Sequence, residues 1–262
     1  MSWSLTLDVN DAYVFRGLVE ETEGVVVQPG LEAFITLARF DGVVSSLDLV
    51  VSQWSSWHTG PTGDSAGDGP AGWYEHDFGV GASMTFGTGS ELSTRLWTYM
   101  SPNGRFTTQW ELETWCYLDD SAVWRDLGSF FRGLYPSAIF SVEIEGTNAG
   151  EEEGLYLELG LTPRFDFFRS EGLVLAFQIP MTLGLGLGPD FYDFGDGTPG
   201  DTLGATQIGA MLRAELAGIP ESWGAWQLYA AGRLFFLGEQ AARISGGDDT
   251  ATLFTVGLIA DL

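Results

Sequence analysis

Lysine is absent from this 262-residue chain, and all 11 basic side chains are arginine. Against them stand 36 acids, for a formal net charge of −25. A nucleic-acid binder needs a basic surface to neutralise phosphates, so this balance excludes that class. The one cysteine, Cys116, has no second thiol to pair with, and cysteine usage says nothing of the redox compartment. Histidine is scarce too, with only His58 and His76 present. A serine hydrolase needs an imidazole oriented by a third group, and two histidines leave little to build one from. Finally, no apolar run approaches the ~18–20 residues that a membrane-spanning helix requires.

What the chain has instead is alternation. Tyr74, His76, Phe78, Val80, Ala82, Met84 and Phe86 take one set of alternate positions. Trp73, Glu75, Asp77, Gly79, Gly81, Ser83 and Thr85 take the other. A period of two over that length is a strand with one apolar and one polar face. The pattern recurs at 3–15, 25–39, 43–57, 73–86, 91–100, 106–117, 138–145, 155–167, 173–185, 207–216, 226–236 and 254–262. Asp11 interrupts the apolar face of the first of these, which predicts a bulge or an interfacial position there. When nearly every strand is amphipathic and no helical core is available, the expected fold is all-β: a closed antiparallel transmembrane barrel of twelve strands, lipid outside and water inside. The 36 glycines and ten tryptophans suit its bends and interfaces. A single barrel accounts for residues 1–262 as one domain.

Residues 119–136 break the pattern. Val123, Leu127, Phe130, Phe131 and Leu134 recur at helical spacing after Asp119-Asp120-Ser121 and before Pro136, which predicts a short amphipathic helix over 121–134. The competing reading is an irregular loop with buried aromatics. The remaining connections sort by side. Those at 16–24, 58–72, 146–153, 187–205 and 237–250 are long and share one end, with 101–104 short among them. Those at 40–42, 87–89, 168–172 and 217–224 are short and share the other. Long loops at one end and tight turns at the other is the outer-membrane arrangement. Trp57, Tyr74, Phe86, Phe106, Phe167 and Trp226 are expected to mark the membrane interfaces. The opening Met1-Ser2-Trp3-Ser4 runs straight into strand pattern, so a processed chain is expected.

The stretch Val9-Asn10-Asp11-Ala12-Tyr13-Val14-Phe15-Arg16-Gly17 resembles the first strand of uncharacterised bacterial outer-membrane barrels with a Tyr-x-aromatic-Arg-Gly motif. The whole chain is similar to Gram-negative, porin-like outer-membrane β-barrels, although Leu262 stands where such chains often end in Phe or Trp. The resemblance implies an outer-membrane location, lipid as surroundings, and a possible homo-oligomer or membrane-protein partner.

On the polar face fall Glu32, Asp48, Asp77, Arg95, Glu111, Glu113, Glu143, Glu145, Glu158, Arg164, Arg213 and Arg233, which are expected to line the lumen. Asp8, Arg16, Glu75, Glu91, Asp166 and Glu215 face the same way. Carboxylates around a passage raise the local cation concentration, so the leading expectation is a porin-like channel or solute-binding barrel that favours cations. The alternative is a structural Arg–carboxylate network filling a non-conducting barrel that binds partner proteins. Lumen aromatics such as Trp97, Tyr99, Trp115, Tyr117, Tyr156 and Tyr229 suit either a filled lumen or a ligand stacked on rings. An enzyme is not expected, since His76 falls on the lipid face and His58 in a loop. No cofactor is expected either. The acidic loops at Glu151-Glu152-Glu153, Asp193-Phe194-Gly195-Asp196-Gly197 and Asp248-Asp249 could hold Ca²⁺, but none has a calcium-repeat spacing.

Overall fold

The computed structural model describes residues 1–128, 130–147, 150, 152–188, 191–193 and 202–262. Twelve wall strands follow one another round an antiparallel sheet. They are β1 (Ser2–Asn10), β2 (Val26–Arg39), β3 (Val44–His58), β4 (Trp73–Phe86), β5 (Glu91–Met100) and β6 (Gln109–Tyr117). Next come β7 (Ser137–Glu145), β8 in two pieces (Leu155–Leu161 and Arg164–Arg169), and β9 in two pieces (Val174–Gln178 and Met181–Leu187). Last are β10 (Leu203–Glu215), β11 (Ala225–Leu237) and β12 (Thr250–Asp261). β12 returns to β1 with Leu7 opposite Leu258, and the ring is closed.

The alternation dictates which face meets what. Leu7, Leu31, Ile35, Val80, Leu112, Leu159, Leu212, Phe254 and Val256 lie exposed on the outside. So large an apolar band suits a lipid environment. Glu75, Asp77, Glu111, Glu143 and Asp166 are buried on the inside.

Prolines explain the divided strands. Pro163 and Pro180 have no N–H to give the ladder, so β8 and β9 each lapse beside their proline. The Ile179 amide donates to the Pro163 carbonyl (3.0 Å) and the Gly209 amide to that of Pro180 (2.7 Å), bridging the gap.

Two expectations need correction. The helix predicted over 121–134 spans only Ser121–Trp124, with a 3₁₀ turn at Arg125–Leu127. Phe131–Gly133 is instead a short strand beside Arg164 and Phe165. The cause is Asp120. Its carboxylate accepts the Trp124 indole N–H (2.6 Å) and the amides of Leu134 and Tyr135 (both 3.0 Å), folding the segment back on itself. The second correction concerns 3–15, which is not one strand. β1 stops at Asn10, and the Asp11 side chain takes the Phe254 amide (2.8 Å) that a wall carbonyl would otherwise take. The chain then turns into the lumen, so Tyr13 and Phe15 do not face lipid. A second short helix, Glu239–Ile244, lies within the connection at 237–250.

The fold-back at Asp120 makes a testable point. Burial raises the Asp120 carboxyl, but the donors at Tyr135, Trp124 and Leu134 outweigh it and hold its pKa below the ordinary value. Asp120→Ala removes those acceptors. The Leu134 and Tyr135 amides should then exchange hydrogen roughly fivefold faster, equivalent to about 1 kcal/mol.

Candidate functional site

The lumen holds a stopper made from the chain's own first connection. Tyr13–Phe15 and Leu18–Glu21 pair as a small hairpin of their own. Its tip is Arg16-Gly17, with φ of 51° and 86°. Two consecutive left-handed residues make the tight hairpin turn that matches strand twist, and glycine accepts that geometry without strain. The tip reaches the far wall. A Cβ on Gly17 would sit 2.8 Å from the Gly204 carbonyl oxygen, and the Tyr192 hydroxyl donates to the Arg16 carbonyl at 2.6 Å.

Arg16 carries the electrostatics of this contact. Its side chain is 5% exposed and forks onto Glu111, Nη1 to Oε2 at 2.5 Å and Nη2 to Oε1 at 2.6 Å. Nη2 also donates to Ser141 Oγ (2.9 Å) and lies 3.6 Å from Glu113. Aromatic rings complete the seat, with the guanidinium carbon 4.8 Å from the centroids of both Phe15 and Tyr156. Planar stacking and a bidentate carboxylate together are what a guanidinium binds best.

The hairpin's two faces pack separately. Ala12, Val14, Leu18 and Val19 join Phe191, Tyr192, Phe235 and the helical residues Ala241 and Ala242. Tyr13 and Phe15 join Val26, Trp54, Tyr74 and Phe106. Polar ties hold the hairpin at the long-loop end. Glu20 accepts the Tyr74 hydroxyl (2.7 Å), and Glu21 accepts the Thr62 hydroxyl (2.7 Å) and the amides of Thr62, Thr22 and Glu23. The Glu21 chain continues through Thr62 to His58 Nδ1 (2.6 Å), and from His58 Nε2 to Ser56 Oγ (2.7 Å). That row has the residue types of a hydrolytic triad. Yet Ser56 is wholly buried and already accepts Gln28, and a threonine separates His58 from its carboxylate. The arrangement ties loop to stopper.

Cavities remain on either side of the hairpin. One of about 240 Å³ lies between it and the long loops, lined by Glu20, Tyr74, Glu75, Arg105 and Phe106. Others of about 220, 380 and 460 Å³ occupy the lumen beside and below it.

The residues expected to line the lumen distribute as follows. Arg95 pairs with Glu32 and, at 3.0 Å, with Ser52. Asp48 is buried and accepts Ser46 Oγ, and Glu143 accepts the Gly154 amide. Glu158 accepts the Tyr156 hydroxyl (3.1 Å) and shares the 220 Å³ cavity with Arg233. Nearer the short turns, Arg164 bridges Asp166 (2.8 Å) and Glu215 (2.7 Å), and Arg213 donates to Gln227 (3.0 Å). Glu145 does not line the lumen. A bulge after Glu143 sets it opposite the outward Trp110 at the exposed rim.

Of the interface aromatics, Trp57 lies outside, stacked on Trp73 at 5.0 Å, and Phe167 is exposed. Phe86 and Trp226 are half-buried near strand ends, Trp226 donating to the Trp223 carbonyl. Tyr74 and Phe106 are not outside. A bulge at the top of β4 turns Tyr74 inward, where its ring meets Phe106 at 5.5 Å. Among the acidic loops, Glu151 and Phe194–Gly197 lie outside the described residues. Among those described, no cluster of three metal-ligating side chains occurs.

A closed antiparallel ring with an apolar exterior and a polar, side-chain-filled interior has the architecture of an outer-membrane β-barrel. No protein-family model matches the sequence, and no curated protein matches it. Among solved structures the chain is similar to an outer-membrane channel from Pseudomonas putida, with a TM-score of 0.51 and 12% identity over 100% of this chain and 95% of that one. The NanC porin matches with a TM-score of 0.49 and 8% identity over 98% of this chain and 100% of its own. LpxR from Salmonella typhimurium matches at 0.43 and 10%, over 98% and 99%. The first likeness shows a shared fold, and the other two add nothing to it.

Two measurements probe the stopper. Arg16→Met leaves Glu111 buried without its cation, at a cost of about 3–5 kcal/mol, whereas Arg16→Met with Glu111→Met recovers most of that. Hydrogen exchange across the hairpin, residues 13–21, reads both. Acid should loosen the same hairpin. Burial raises the Glu21 carboxyl, but its Thr62, Glu23 and Thr22 donors hold its pKa below the ordinary value. That stabilisation is complete above the ordinary carboxylate pKa and lost as pH falls through the lowered one. Exchange at Thr22 and Glu23 should rise over that window in wild type and be fast throughout in Glu21→Gln.

Proposed function

We propose that this protein is a solute channel of the Gram-negative outer membrane, closed at rest by its first hairpin and favouring cations when open. The observation that carries the reading is the form of the seal. Arg16 meets Glu111 through reversible, charge-assisted bonds, and cavities lie on both sides of the hairpin. A passage blocked by a removable element opens when that element moves. Cation preference is supported by charge. At the seal two carboxylates, Glu111 and Glu113, meet one guanidinium, while Arg95 is engaged by Glu32. Nearer the short turns, Arg132, Arg164 and Arg169 share Asp166, and Arg164 also pairs with Glu215.

A second reading is favoured by the two apolar clusters, which would hold the hairpin in place for good. The barrel would then be non-conducting and serve as a membrane partner for other proteins or for copies of itself.

Planar-bilayer recording separates the two. Wild type should give rare, small steps, and a barrel with residues 12–22 replaced by a short Gly-Ser linker should give large ones that are cation-selective in a salt gradient. Neutralising Glu111 and Glu113 in that shortened barrel should shift the reversal potential toward zero. A shortened barrel that folds yet gives no steps overturns the channel reading.

A further inference from the structure

We infer that the cavity around Asp77 is a binding site for a small organic cation, such as a protonated amine or an amidinium. The inference rests on the solute-channel reading for its role and on the following geometry for its chemistry. In the sheet, Asp77 on β4 stands directly between Trp54 on β3 and Tyr99 on β5. The hairpin contributes Tyr13, whose ring lies 6.0 Å from that of Trp54. One step along β4, a Cβ on Gly79 would come within 2.7 Å of the Trp97 ring, so the missing side chain lets the indole lie against the wall. These groups, with Phe15 and Glu113, bound a cavity of about 380 Å³. That is the size range of small-molecule sites, which combine apolar walls with a few fixed polar groups.

Asp77 is the fixed polar group. It is 6% exposed, and its Oδ1 accepts no hydrogen bond. A buried carboxylate oxygen without a donor is costly, and a cationic N–H donor is the partner that relieves it. Glu75, two residues away, lines the neighbouring 240 Å³ cavity, accepts the Tyr13 hydroxyl (2.9 Å) and meets Asp77 carboxyl to carboxyl, which leaves Oδ1 of Asp77 as the free acceptor on the larger cavity. A neutral N–H donor can meet Oδ1 as well, but a cationic one forms the stronger, charge-assisted bond. The protein already displays the chemistry in tethered form, since Arg16 sits on aromatic rings between Glu111 and Glu113. Aromatic faces and carboxylates are the two partners of organic cations.

Titration calorimetry of the full-length, detergent-folded protein with benzamidinium, and with neutral benzamide as its isostere, tests this. Benzamidinium should bind at least about tenfold tighter than benzamide, and Asp77→Asn should erase that preference. Equal binding of the two probes to wild type sinks the inference, whatever the variant does. So does a folded Asp77→Asn, shown by heat-modifiable migration, that keeps the preference. Should the variant not fold, Thr6→Trp, which fills the cavity from β1, must abolish binding. Binding without conductance by the shortened barrel overturns the channel reading and leaves the cation site standing. Conductance without binding does the reverse.

Discussion

A backbone amide facing hydrocarbon has no water to turn to, and that constraint governs this molecule. An open sheet would leave two edges of unpaired N–H and C=O groups, each costing several kcal/mol in lipid. The pairing of β12 with β1 removes both edges. Where the ladder must fail, substitutes appear. Asp11 supplies a carboxylate oxygen to Phe254 where β1 leaves the wall, and carbonyls of Pro163 and Pro180 take amides across the broken strands. The lipid-facing leucines and phenylalanines follow from closure, since a ring exposes one side chain in two to the membrane.

Closure creates an interior that the chain fills with its own first connection. Burying a guanidinium there is tolerable only with matched carboxylates and full use of its donors. Glu111, Glu113 and Ser141 provide that match from β6 and β7, far across the lumen from β1. Two carboxylates thus share one guanidinium at the centre of the barrel. The proposed charge selection would draw on the side chains that seat the hairpin. Apolar clusters flank the hairpin on both faces, and the ion pair anchors its tip.

The wall was legible in the residues because a period of two is local: each strand announces its faces without reference to any other. Loop lengths were legible for a related reason, as each is a gap between periodic runs. What failed was whatever depends on a side chain meeting something distant. Tyr13 and Phe15 continue the apolar alternation of β1, and only the Asp11 break and the Arg16-Gly17 turn signal hint at the inward fold. Tyr74 also obeys the alternation, and one extra residue at the top of β4 reverses it. In the 121–134 segment, helical spacing was real, but the Asp120 carboxylate made three bonds that no periodicity contains. The alternation put Glu111 and Glu113 on the polar face and misplaced Glu145, which follows a bulge. The pairing of Glu111 and Glu113 with Arg16, held on a separate hairpin, was not legible.

The stopper's place in the chain bears on assembly. It follows the first strand, yet its contacts arrive very late: Glu111 is 95 residues on, Tyr192 is 176, and Ser245, which accepts the Val19 amide, is 226. Such separations are slow to close, because loop entropy is lost before any contact repays it. By contact order, the seating of the hairpin is expected after the pairing of neighbouring wall strands. In that order the wall precedes its filling.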